Sequence, residues 1–340
     1  MRPLVYGVTG YTGRLVSREL ARLGVAHIVG GRRADAVDAW AHEVSCEARA
    51  FALDAPDLSG VSVVLNCAGP FAVTSVPLAT AAIAAGAHYL DLAGEVAEHE
   101  AVRALGPRAR ERGVMVMPGV GFGVVPTECA AALAARGVER PTELVIAYET
   151  RGGASRGTLE VVLGGLRAPG VARRGGQLVP SAFAEEVIAL DLGGGAVKVA
   201  TNPHRADQVA AFASTGIPDI STYATFPAML RWLMRSRLRD TRMVSRMFDR
   251  ALRKAPEGPS PAERAKGKTR VIAIAKNASA RCEVRVAGPE AYDFTARTAA
   301  AAVTKIDRAK PGYQTPSQAY GTEWFSELLT GPGEGVEVIR

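Results

Sequence analysis

The sequence predicts an α/β chain: an N-terminal doubly wound parallel sheet, followed by a second α+β domain built on a mixed or antiparallel sheet. Three observations carry this. Residues 1 to about 125 alternate short apolar runs with helical patterns, the rhythm of βαβ units. The first apolar run empties into a glycine loop that opens a helix. Past Val125 the rhythm changes to Gly-rich turns between strand-like runs.

The first strand, Leu4-Val5-Tyr6, leads into Gly7-Val8-Thr9-Gly10-Tyr11-Thr12-Gly13. Such a loop brings backbone N–H groups and a helix N-terminus to a pyrophosphate with no Cβ in the way. Gly7, Gly10, Tyr11, Thr12 and Gly13 are therefore candidates for a dinucleotide cradle. Leu15, Val16, Leu20 and Leu23 give the next helix one apolar face, and Gly24 stops it.

The second strand, His27 to Gly30, ends at Gly31-Arg32-Arg33. An acid there would bind the ribose 2′-hydroxyl. Two arginines in its place favour the 2′-phosphate, hence NADP(H), over a merely solvated pair. A third strand, Ala50 to Leu53, ends at Asp54, a position that in such folds lies beside the adenine. The fourth, Val61 to Leu65, runs into Asn66-Cys67-Ala68-Gly69-Pro70-Phe71. These small residues permit close backbone approach where α/β ligands bind, or else form only a tight turn. Cys67 reads as a packing residue, since no basic partner is indicated nearby.

After a helix over Ala79–Ala85, the fifth strand His88 to Leu92 leads into Ala93-Gly94-Glu95. Asp91 and Glu95 at its carboxyl end are candidates to meet substrate, with dipole complementarity to the next helix as the alternative for Glu95. The sixth strand, Val114 to Met117, precedes Pro118-Gly119-Val120-Gly121-Phe122-Gly123. The glycines let Phe122 lie over something flat, either the nicotinamide or the neighbouring sheet, and Gly121 and Phe122 join the cofactor candidates. The domain boundary falls here.

The second domain reads as a strand at Leu144–Tyr148, a polar loop over Arg151–Thr158, a helix over Leu159–Leu166, and strands at Ala184–Leu192, Val197–Thr201, Gln208–Phe212, Val271–Lys276 and Arg281–Ala287. Its sheet is expected to present one face to the cleft of the first domain. Met229 to Lys254 has an amphipathic helical pattern studded with arginine. Its arginines either lie in water or meet an acidic carrier or an anionic membrane surface, at most a weak contact.

At 340 residues and 48% hydrophobic content the chain has ample material for two cores. The net charge of +7 is unevenly placed: thirteen Lys or Arg against four Asp or Glu lie between Ala228 and Arg270, leaving the rest near minus two. With no recognisable binding module, nucleic acid is not expected. Cysteines 46, 67, 129 and 282 show no C-x-x-C pair and no histidine at ligand spacing, so neither a disulfide framework nor a metal site is expected. A reducing cytoplasm is the simplest home, and no apolar run approaches the ~18 residues of a spanning helix.

Taken together, the glycine loop, Asn66 to Phe71, Gly86 to Glu95 and Gly121-Phe122-Gly123-Val124-Val125-Pro126 resemble the saccharopine-dehydrogenase-like reductases. Ser155-Arg156-Gly157-Thr158, Ser214-Thr215-Gly216-Ile217-Pro218 and the run Gly312 to Gly321 are most similar to the branch containing trans-acting enoyl reductases. The resemblance spans nearly the whole chain. It implies a Rossmann domain over residues 1–125, a substrate and dimerisation domain over 126–310, and a C-terminal helix at 311–340 packing back on the first domain. It also implies NADP(H) dependence in many members. One departure is Gly123, where relatives often carry a polar residue, so no substrate contact is carried over there.

The expected activity is hydride transfer between NADP(H) and a C=C or C=N bond of a small or acyl-carrier-bound substrate. Asp91, Glu95 and Tyr223 are the candidate proton-handling groups. No Tyr-x-x-x-Lys signature is suitably placed. The competing readings are a non-catalytic, redox-responsive NADP(H)-binding protein and a peripheral membrane enzyme acting on lipid. A homodimer is the assembly considered.

Overall fold

The computed structural model describes residues 1–166, 170–236 and 241–340. The chain divides into two compact units, Met1–Val125 with Tyr292–Leu328 and Pro126–Ala291 with Leu329–Arg340. In the first, strands β1 (Pro3–Tyr6), β2 (Ile28–Gly31), β3 (Glu47–Ala50), β4 (Val63–Asn66), β5 (His88–Asp91) and β6 (Met115–Met117) alternate with helices α1 (Tyr11–Arg22), α2 (Ala34–Val44), α3 (Phe71–Ala85), α4 (Val96–Arg103) and α5 (Gly106–Glu111). β1, β2, β4 and β6 are buried at every position, as parallel strands covered on both faces must be. β3 closes the sheet edge and is half-buried or exposed.

The second unit starts with α6 (Val125–Arg136), β7 (Glu143–Arg151), α7 (Arg156–Gly165), β8 (Gly170–Arg174), β9 (Gln177–Ser181), β10 (Val187–Asp191) and β11 (Ala196–Thr201). It continues through α8 (Asp207–Thr215), β12 (Asp219–Ala224), α9 (Ala228–Arg235), α10 (Arg242–Lys254), α11 (Pro261–Arg264), β13 (Lys268–Lys276) and β14 (Arg281–Pro289). The chain returns to the first unit with α12 (Ala291–Thr304), β15 (Gly312–Tyr313) and α13 (Pro316–Tyr320), and finishes on β16 (Gly335–Ile339).

The first sheet runs β15-β6-β5-β4-β1-β2-β3, parallel throughout. The chain winds outward from β1 through β2 to β3, then crosses to β4 on the other side of β1. The switch point therefore lies between β1 and β4, where Tyr6 pairs with Asn66. The glycine loop and the Asn66 turn thus emerge side by side at one carboxyl edge. Leu4, Tyr6, Ile28, Val64, Leu78, Ile83, Tyr89 and Val116 pack beneath them, each at most 1% exposed.

The second sheet is mixed, with order β10-β11-β12-β7-β13-β14-β16 and a β8–β9 hairpin on β12. β12 and β7 are parallel and the other pairs antiparallel.

Several segments differ from the sequence reading. Gln208–Phe212, expected as a strand, lies in α8. A short apolar run does not separate a strand from a buried helix, and the alanines at 210, 211 and 213 together with the left-handed Gly216 cap tip it to helix. The amphipathic segment is two helices, α9 and α10; part of it, residues 237–240, lies outside the described residues. No single helix spans 311–340. Gly331, Pro332, Gly333 and Gly335 interrupt it, and β16 adds to β14 in the second sheet. α12 from Tyr292 onward belongs to the first unit.

Candidate cofactor and active site

The glycine loop is built for tight closure. Gly7 has φ +94°, and its N–H donates to the Gly30 carbonyl at 2.8 Å. A Cβ on Gly7 would lie 2.6 Å from the Ala68 nitrogen, and one on Gly13 would lie 2.3 Å from the Gly7 oxygen. Both glycines are thus required by backbone approach. Gly10 is different: its Cβ would meet only the Gly7 oxygen, at 3.4 Å, and it is exposed. It is also the N-cap of α1, with no side-chain cap and no acid in the first turn. The α1 N-terminus, with the backbone N–H groups of Thr12 and Gly13 in its first turn, fits what a dinucleotide pyrophosphate needs.

Arg32 and Arg33 follow β2 and are both exposed. Neither makes an ion pair with another described residue. Arg33 is the N-cap of α2, with no side-chain cap bond. Arg32 is close enough to Tyr6 that its charge partly offsets the rise that burial causes in the phenol's pKa. Asp54 lies in an exposed turn after β3 rather than at a strand end, because the pairing of β3 with β2 stops at Ala50.

The turn after β4 is held from beneath. Asn66 is fully buried, and its amide donates to Thr74 Oγ1 and Tyr89 Oη, both at 3.1 Å. Its Oδ1 accepts from the Ala68 N–H at 3.0 Å. Asn66 therefore shapes the loop. Ala68, Gly69 and Pro70 form its rim, and a Cβ on Gly69 would meet nothing within 4 Å, so the backbone there is open to a ligand. Gly69–Pro70 is cis. Phe71 begins α3 and is half-buried. Burial pushes the Cys67 thiol far above its usual range and the nearby Asp91 carboxylate adds to this, so Cys67 stays a neutral thiol.

Asp91, fully buried at the end of β5, is the knot of this edge. Its Oδ1 accepts from the Ala93 and Gly119 N–H groups at 2.9 and 3.0 Å, and its Oδ2 accepts from Ser75 Oγ and Tyr89 Oη, both at 2.9 Å. Burial raises its pKa, although all four bonds oppose the rise. The carboxylate fastens α3, β5 and the loop after β6 to one another. Ser75 and Tyr89 carried no sequence signal for this role, since one sits within a helix pattern and the other within a strand pattern.

Glu95 is the half-buried N-cap residue of α4, and its Oε2 accepts from the Gly94 N–H at 2.9 Å. Gly121 is pressed on α12, where a Cβ would lie 2.9 Å from Thr295 Cγ2. Phe122 donates its backbone N–H to Thr295 Oγ1, and its ring, 7% exposed, stands 6.0 Å from that of Phe294. The aromatic thus packs within its own domain.

Tyr223, the candidate in the second domain, is 5% exposed and donates to Glu186 Oε2 at 2.5 Å. Burial first, then this carboxylate, push its pKa up to about 12. The pair borders a pocket of about 220 Å³, which Arg174, Ser181, Glu185 and Gln208 also line. Glu186 was not among the residues singled out from sequence. Among the described residues, no group of three or more His, Cys, Asp or Glu is placed to hold a metal ion. No described helix is long and apolar enough to cross a membrane.

The comparisons agree with this architecture. Residues 4–117 match the family model of the saccharopine dehydrogenase NADP binding domain. Over that stretch the first domain is similar to that family. Its cofactor is NADP(H), and the chain is an oxidoreductase. The fold of the whole chain is similar to that of apo saccharopine dehydrogenase (L-Glu forming) from Saccharomyces cerevisiae, with TM-score 0.66, 12% identity and 100% of each chain covered. It is also similar to GenD2 from gentamicin A biosynthesis, in complex with NAD, with TM-score 0.45, 16% identity, and 96% of this chain and 92% of that one covered. A probable dehydrogenase from Thermotoga maritima gives TM-score 0.48 at 10% identity, with 96% and 94% covered. No curated protein matches the chain by sequence. Within the matched stretch, the glycine loop and the Asn66 turn share the sheet's switch point.

Proposed function

We propose that the chain is a reductase that uses NADPH to reduce a C=C or C=N bond of a small or carrier-bound substrate. The observation that carries the reading is the pairing, at one carboxyl edge, of the uncapped α1 N-terminus with Arg32 and Arg33, two cations that make no ion pair among the described residues. In this reading Thr12 and Gly13 donate to the pyrophosphate, the two arginines hold the 2′-phosphate, and the Ala68–Pro70 rim lies along the dinucleotide. Gly121 keeps the loop after β6 close against α12. The cofactor supplies the hydride when bound.

The protein's remaining tasks are to orient the acceptor, exclude water and handle one proton. Glu95, half-buried at the carboxyl end of the first sheet, is the group proposed to move that proton; Tyr223, kept neutral by its raised pKa beside Glu186, is the alternative within the second domain. Asp91 is assigned a positioning part, because its oxygens are occupied by four donors.

NADPH oxidation measured against a panel of imines and enoyl thioesters, free and carrier-linked, tests the reading. Turnover on at least one class is expected. Tight NADPH binding with no oxidation across the panel would refute it and favour a cofactor-sensing protein.

A further inference from the structure

Helices α9 and α10 turn one face inward and leave the other in solvent. Leu230 and Met234 of α9 and Phe248 of α10 join the cluster of Leu166, Phe183, Ala184 and Ala200. The faces opposite this shared cluster look away from the domain. They carry bulky apolar side chains: Met229 is 75% exposed, Trp232 57%, Met243 66% and Met247 59%. These are four of the most exposed large hydrophobics in the protein. Met243 and Met247 are four residues apart, so they stand one above the other on α10.

Around them lie the exposed Arg235, Arg242, Arg246, Arg250, Arg253 and Lys254. None of these makes an ion pair with another described residue, and Asp249 is the one acid on the two helices as described. A solvated helix gains nothing by exposing methionine and tryptophan, and a cation cluster costs self-repulsion. Both features become favourable at an interface that is negatively charged outside and apolar within.

We propose that the outer face of α9 and α10 docks on an anionic phospholipid bilayer. Trp232 and the three methionines enter the headgroup–acyl boundary, while the arginines and Lys254 pair with lipid phosphates. Apolar bulk distinguishes this partner from an acidic carrier protein, which the cations alone would satisfy. The contact is peripheral and reversible, and it screens with salt.

The test uses the full chain and vesicles of phosphatidylcholine, alone or mixed with phosphatidylglycerol. Binding to the mixed vesicles only, weakened by salt, is expected. Trp232 offers an internal reporter, because Trp40 and Trp324 are 6% and 3% exposed. Its emission should shift to the blue on binding and be quenched by brominated acyl chains. Arg246→Gln with Arg250→Gln should lower the vesicle partition coefficient about tenfold or more. Met243→Gln with Met247→Gln should lower it similarly and reduce the quenching, with the unfolding midpoint unchanged in both variants. Failure to bind anionic vesicles, equal binding to neutral ones, or full binding by both variants would overturn the proposal. So would retention of an acidic carrier protein in place of vesicles.

Discussion

Replacing Asp91 separates a fastening carboxylate from a proton donor. In Asp91→Ala, the N–H groups of Ala93 and Gly119 and the hydroxyls of Ser75 and Tyr89 all lose their acceptor. The hydroxyls can rotate, Tyr89 towards Ser75 for instance, but the two amides cannot. Each stranded buried donor costs about 1–3 kcal/mol, so two cost about 2–6 kcal/mol. Part of that is returned because a buried carboxylate with a raised pKa is no longer ionised. A net loss of about 3 kcal/mol is expected.

Asp91→Asn keeps the shape. Its Oδ1 still serves both amides, and its new N–H groups find the Ser75 and Tyr89 oxygens, so the loss should stay within about 1 kcal/mol. The charge adds a sign. A folded pKa above the unfolded one means that the unfolded chain releases its proton first as pH rises. Wild type therefore loses stability relative to Asp91→Asn between the ordinary aspartate range and the raised folded value, and the difference is constant above that. Urea unfolding of the three proteins across acidic pH, with NADPH titration at neutral pH, measures both effects. An Asn variant as unstable as the Ala variant, or one that folds normally and binds NADPH but has no activity, would refute the fastening role.

Arg32→Ala with Arg33→Ala should weaken NADPH by about 10- to 100-fold and leave NADH nearly unchanged, since two exposed charge-assisted contacts are each worth roughly 1 kcal/mol after screening; fluorescence titration with both nucleotides reads the ratio, and equal losses would count against the assignment. Gly13→Ala should abolish NADPH binding and destabilise the first domain, because its Cβ would lie 2.3 Å from the Gly7 oxygen. Gly10→Ala, at 3.4 Å, should leave the unfolding midpoint nearly intact, so that any loss of NADPH affinity there reports ligand contact alone. The raised pKa of Tyr223 favours the folded state up to about pH 10, and that contribution is lost as pH rises through about 12. Alkaline unfolding of wild type should accordingly be steeper than that of Tyr223→Phe.

What was legible in the sequence is what backbone chemistry dictates locally. Gly7 and Gly13 declared a loop, and the alternating runs declared a parallel sheet, because a strand buried on both faces must be written in apolar residues. The mixed second sheet followed from the change of rhythm. Long-range partnerships were not legible. Nothing in the run Gln208–Phe212 distinguishes a buried helix from a strand until its neighbours are known, and the pairing of β16 with β14 joins residues 48 to 56 positions apart, from Ala287 with Gly335 to Glu283 with Ile339. Phe122 reads as poised for a flat partner, but that its ring stands beside Phe294, more than a hundred residues away, is not legible locally.

The carboxyl edge itself shows why residue type alone overstates catalysis. Asp91 and Glu95 both read as candidate acids beyond one strand, with helix-dipole complementarity the alternative for Glu95. In the structure, one is fully buried and accepts from four donors, while the other is half-buried at a helix start with an oxygen on the adjacent Gly94 N–H. The difference arises from Gly119, whose positive φ turns the chain so that its N–H reaches Asp91, and which a side chain would prevent by meeting Val124 at 2.5 Å. A glycine in the loop after β6 thus helps make Asp91 the scaffold, and Glu95 remains the candidate for chemistry.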